Sequence, residues 1–91
     1  MTKREMGFIK KVLLSRGTWK ALIALLPGKM SAQMLRDQDV SSIDQILVYM
    51  DYITQETTDK GNFYNLTTRG KRLAVTLESF ILAVQETLPG D

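Results

Sequence analysis

The 91-residue chain contains no cysteine and no histidine. Without cysteine there are no disulfide frameworks, thiolate metal sites or cysteine nucleophiles, and a reducing compartment fits. Without histidine as well, zinc sites and the usual nucleophile–base pairs are excluded. Long apolar runs are also missing. The longest, residues 21–26, stops at Pro27, far short of the roughly 20 residues a membrane span needs. The opening "MTKREMGFIKKVLLS" interleaves bases with apolar residues. It lacks the continuous apolar core of a secretory signal, so the cytoplasm is the expected compartment. The six glycines are isolated, and none forms a phosphate-cradling motif. The closest acids, Asp37, Asp39 and Asp44, suit neither paired acid–base chemistry nor a calcium loop. No enzyme activity, metal or cofactor is expected.

What is present is an ordinary globular composition. Apolar residues make up 44% and charged residues 24%, which fits one soluble domain over residues 1–91. The net charge is only +2, but it is distributed in blocks. Residues 1–36 hold eight Lys and Arg against the single acid Glu5. Residues 37–59 hold six acids and no base. Residues 60–72 then supply Lys60, Arg69, Lys71 and Arg72. Blocks of this kind suit an anionic partner, or a folded surface on which opposite segments neutralise one another.

Periodicity gives the elements. Residues 4–15 place Met6, Ile9, Val12 and Leu13 at helical spacing, with Lys10 and Lys11 opposite. Arg16-Gly17 reads as a helix end. Thr18 can cap a helix over 19–26 that stops at Pro27-Gly28. In it Trp19, Leu22, Ile23, Leu25 and Leu26 are expected core. Ser31 can cap a short helix over 32–38. Asp39-Val40 reads as a turn, and Ser41 or Ser42 as the cap of a fourth helix. That helix carries Ile43, Ile46, Leu47 and Met50 on one face. The period then changes to two. Residues 54–58 and 63–66 flank the turn signal "DKGN" and predict a β-hairpin with Gly61 at positive φ. Tyr64 and Leu66 should face inward and Phe63 outward. Thr67 or Thr68 starts a last helix running to about residue 88. Its stripe of Leu73, Leu77, Phe80, Ile81, Val84 and Leu88 would suit a seam between two subunits.

Two stretches carry a family resemblance. "YNLTTRGKRLA", residues 64–74, resembles the second wing strand and final helix of PadR-like, MarR-like and related archaeal regulators. In those, Y-x-L-T-x-x-G-x-x-L is common. "SAQMLRDQDVSSIDQILVYMDYI", residues 31–53, is similar to their helix-turn-helix. The resemblance implies a mainly α winged helix-turn-helix fold with one β-hairpin, dimerising through its flanking N- and C-terminal helices. It also implies a small homodimeric transcription regulator that binds double-stranded DNA. The chain departs from the pattern at three places. Leu35 or Arg36, depending on alignment, falls where the first helix of the unit usually has Ala. Asp39 stands where the turn usually has Gly, so an irregular or shortened turn is expected. The helix that should enter the major groove carries Asp and neither Lys nor Arg.

Candidate DNA contacts follow. Ser41, Ser42, Gln45 and Tyr49 would face the groove, since Gln can pair with adenine and Ser with bases or phosphates. Lys60 and Asn62 would sit at the wing tip. Arg69, Lys71 and Arg72 would neutralise phosphates near a helix N-terminus. The candidate dimer interface is Met6, Ile9, Val12 and Leu13 from the first helix, with Leu77, Phe80, Ile81, Val84 and Leu88 from the last. Three other readings compete: a protein–protein adaptor using the acidic helix 41–53, a purely structural dimeric scaffold, and an N-terminal basic helix on a membrane surface.

Overall fold

The structure, a computed structural model, describes residues 2–10 and 15–90. Helix α1 (Lys3–Phe8) begins at Thr2, whose hydroxyl accepts from the Glu5 N–H. Val12 and Leu13 lie outside the described residues. Helix α2 (Arg16–Ala24) is capped by Ser15, not by Thr18 as the sequence suggested. The Ser15 hydroxyl accepts from the Thr18 N–H and donates to the Thr18 side chain at 2.8 Å. Thr18 is buried, and that bond satisfies its hydroxyl. Arg16-Gly17 is therefore the first turn of a helix rather than the end of one.

A two-residue strand, β1 (Met30–Ser31), precedes helix α3 (Ala32–Asp37). The hairpin is β2 (Ile53–Thr58) and β3 (Gly61–Leu66). Strand β1 pairs antiparallel with β3, so the sheet has three strands in the order β1-β3-β2, where a hairpin alone was expected. The hairpin closes at the pair Thr58↔Gly61. Gly61 has φ 113, which matches the expected positive value. Only Asp59 and Lys60 form the loop. Asn62 is on the ladder opposite Thr57 and not at the tip.

Ser31 caps α3 by accepting from the Met34 N–H, as the sequence indicated. Helix α4 spans only Gln45–Tyr49. Its cap is Asp44, whose carboxylate accepts from the Ile46 N–H, so neither Ser41 nor Ser42 holds that role. The expected apolar face survives this shortening. Ile43 and Leu47 are buried, and Ile46 packs against the core.

Helices α3 and α4 end in the same way. Val40 N–H donates to the Leu35 carbonyl and Asp39 N–H to the Arg36 carbonyl. Tyr52 N–H likewise donates to Leu47, and Asp51 N–H to Val48. This double bond pattern requires a left-handed residue, usually glycine. Aspartate fills it both times, with φ 66 at Asp39 and 65 at Asp51. The turn that appeared to lack its glycine is thus regular, with Asp39 taking the glycine conformation. Lys20 of α2 pairs with the Asp39 carboxylate and holds its pKa below the usual carboxylate value, first through the hydrogen bond and then through charge.

Leu22, Leu25, Leu35, Leu47 and Ile53 are fully buried at the centre. Each contributes about 1.5–3 kcal/mol by leaving water. Tyr64 and Leu66 face inward as expected. Trp19 and Ile23 are half-buried rather than core, and they line a groove between α2 and the last helix, α5 (Thr68–Thr87).

Thr67 anchors the start of α5. Its N–H donates to the Tyr52 carbonyl, its hydroxyl donates to the Asp51 carbonyl at 2.6 Å, and the same oxygen accepts from the Gly70 N–H. Gly70 lies so close that a Cβ there would collide with the Tyr52 carbonyl. The end of α4, the start of β2 and the start of α5 are thereby tied together.

Candidate nucleic-acid interface

Strand alternation divides the wing into two faces. Cross-strand partners share a face, and residues two apart along a strand share it too. Ile53↔Leu66 points into the core, so Gln55↔Tyr64 and Thr57↔Asn62 lie on that same inner face. Toward the tip this face changes from apolar to neutral polar. The opposite face carries Glu56↔Phe63. There Lys29 pairs with Glu56 at 2.7 Å and sits 5.3 Å from the Phe63 ring centre. The one acid within β2 is therefore on the outer face and is already neutralised.

The inner face borders a cleft of about 320 Å³. Its polar walls are Arg36 of α3, Ser41 and Ser42 ahead of α4, Gln45 of α4 and Asn62 of β3. Two side-chain bonds organise its wing wall. Gln45 Nε2 donates to Gln55 Oε1 at 3.2 Å, and the Thr57 hydroxyl donates to Asn62 Oδ1 at 2.9 Å. Arg36 is held by a bond to the Gln33 amide oxygen at 2.9 Å. The site thus offers amides, hydroxyls and one guanidinium, with no carboxylate among its lining residues.

The acids of "DVSSIDQILVYMDYI" have structural roles. Asp39 and Asp51 end helices in the left-handed conformation, and Asp44 caps α4. Asp44 borders a different depression, with Gly17, Thr18, Ser42 and Leu47. Helix α4 itself, QILVY, is uncharged.

Of the nine residues chosen from sequence as DNA contacts, Ser41, Ser42, Gln45 and Asn62 meet in this cleft. Tyr49 is 86% exposed at the far end of α4. Lys60 is in the tip loop. Arg69 stacks over the Tyr52 ring at 5.1 Å, and Lys71 and Arg72 are exposed on the first turns of α5. They follow the end of β3 remote from the tip, where Leu66 is roughly 13 Å along the strand from Asn62. Lys60 and the group Arg69, Lys71 and Arg72 thus follow opposite ends of β3, two of whose residues, Asn62 and Tyr64, line the cleft. Sequence reasoning missed Arg36, Gln55 and Thr57. The two-residue period from Ile53 would have put Gln55 and Thr57 on the inner face.

The proposed dimer residues divide. Leu77 packs against its own core, and Ile81 lines the α2–α5 groove. Ile9 is half-buried and Met6 exposed. Phe80, Val84 and Leu88 remain exposed on α5.

No protein-family model matches the chain, and no curated protein matches it. Among solved structures it is similar to the crystal structure of Sso10a-2, a DNA-binding protein from Sulfolobus solfataricus. Identity is 22% with a TM-score of 0.53, over 84% of this chain and 100% of that one. The fold is winged-helix-like. At that identity the similarity speaks to architecture. Among the described residues no helix is long and apolar enough to cross a membrane.

Proposed function

We propose that the protein binds double-stranded DNA as a small homodimeric transcription regulator. The observation that carries this reading is the carboxylate-free polar cleft between α3–α4 and the inner wing face, which Arg36 lines, with Lys60 at the wing tip and Lys71 and Arg72 exposed on the first turns of α5. Support comes also from the fold it shares with Sso10a-2, which is described as a DNA-binding protein. Ser41, Ser42, Gln45 and Tyr49 are the proposed groove-facing residues, joined by Arg36 and Asn62. Lys60, Lys71 and Arg72 supply phosphate contacts, and Arg69 adds positive charge beside Tyr52. Direction and register come from the bases, and sequence information comes from the amides and hydroxyls. Phe80, Val84 and Leu88 are the proposed subunit contact.

Mobility shifts on mixed duplexes across a salt series test the reading. Affinity should fall steeply with salt, by about 0.9 in log K per log salt for each phosphate neutralised. The double change Lys71→Ala and Arg72→Ala should weaken binding on all sequences alike and flatten that slope. Absence of any shift at low salt would refute DNA binding. Capture of a protein through Tyr49 and α4 would then be the reading to pursue.

A further inference from the structure

The Gln45–Gln55 bond joins α4, where Gln45 lines the cleft, to the inner face of the wing. Gln45 has two N–H donors and one carbonyl oxygen. Gln55 Oε1 takes one donor at 3.2 Å. One N–H and the Oε1 of Gln45 are left, which is the set that pairs with N7 and N6 of adenine in the major groove. An exposed glutamine is otherwise free to rotate about its side-chain torsions, and ordering it costs entropy on binding. Gln55 removes part of that freedom beforehand. Its own place is fixed by the ladder, because it stands opposite the buried Tyr64 on the inner face.

We infer that Gln55 is a positioning residue, which orients the Gln45 amide to read adenine in duplex DNA. The inference rests on the DNA-binding reading above. Gln55 makes no base contact in this arrangement. It acts by holding Gln45, and it ties base preference to the seating of the wing. The partner is duplex DNA with an A·T pair at the position facing Gln45.

The test is selection from duplexes randomised across the binding site, using the full chain and its variants, with a thermal melt of each. The wild type should enrich adenine at one position. Gln45→Ala should abolish that preference, roughly 5- to 150-fold in discrimination for a bidentate contact. Gln55→Ala should lower it at that position alone, about 2- to 12-fold for a lost hydrogen bond. Other positions and the salt slope should not change, and the melt should show the variant still folded, with a melting temperature lower by a few degrees at most. Gln55→Glu keeps the acceptor for Gln45, so adenine preference should be retained while affinity falls on all sequences through the added charge. A Gln55→Ala variant with undiminished adenine preference overturns the inference, as does a loss spread equally over all positions. Wild-type binding without any base preference overturns it as well and leaves phosphate-directed DNA binding standing. No binding at all at low salt overturns both.

Discussion

The two ends of α5 are built on opposite terms. At its start Thr67 bonds to the Asp51 and Tyr52 carbonyls, Gly70 touches the chain, and Ala74 is fully buried. In its second half Phe80 is 56% exposed and Leu88 is 61% exposed. One helix therefore serves the domain at its N-terminal end and presents an apolar flank to solvent at the other. Burial explains Gly70, Ala74 and Leu77 in the first half. The second half keeps large apolar side chains in water, which favours a covering surface. The helix is thus tied to the domain at its start, Leu77 and Ile81 still pack on their own domain, and the exposed Phe80, Val84 and Leu88 are what remains for assembly.

Substitutions should show this asymmetry. Gly70→Ala drives a methyl group against the Tyr52 carbonyl, where backbone rather than a flexible side chain must move. A loss of about 3 kcal/mol or more in urea unfolding is expected. A loss below 1 kcal/mol would mean that the tie at this end is slack. Thr67→Ala removes the helix cap and the bonds to Asp51 and Tyr52, and should cost about 1–2 kcal/mol in the same measurement. Asp51→Gly relieves the left-handed aspartate beside that tie and should stabilise by about 0.5–1 kcal/mol. At the other end, Phe80→Glu should change the stability of the isolated domain by less than about 1 kcal/mol. Its effect should appear in sedimentation equilibrium, as a shift from dimer toward monomer. A wild type that stays monomeric at high micromolar concentration would remove the seam altogether.

Much of this was legible in the residues. Ser31 before an apolar stripe, the hairpin with Gly61, the inward Tyr64 and Leu66, and the break at residues 67–68 all follow from local chemistry, and the structure agrees. Strand β1 was not legible. Two residues carry no period, and Met30-Ser31 becomes a strand only because β3 offers an edge. The start of α4 was ambiguous for a different reason. Ser41, Ser42 and Asp44 are all good caps, and the choice among them depends on the tertiary burial of Val40 and Ile43. The acids misled because charge was counted along the chain. Three of them serve backbone geometry, and Glu56 points to the far side of the wing. In the cleft, Ser41, Ser42, Gln45 and Asn62 were legible, whereas Arg36 on α3 and the inward Gln55 and Thr57 on β2 were not, because only packing brings α3 to the cleft and only the register from Ile53 fixes which face of β2 looks inward.

The wing ladder makes the chemistry of the cleft a matter of counting. Gln55 and Thr57 face α4 and Glu56 faces Lys29 only while Ile53 stays opposite Leu66. One residue inserted after Ile53 would invert every side chain from there to the tip. Thr54 would then stand where the Gln55 amide now meets Gln45, Glu56 would take the place of Thr57 opposite Asn62, and a surface open to anions would gain a carboxylate. Length in this strand is thus as strictly constrained as composition, and a single-codon insertion would do more harm there than most replacements.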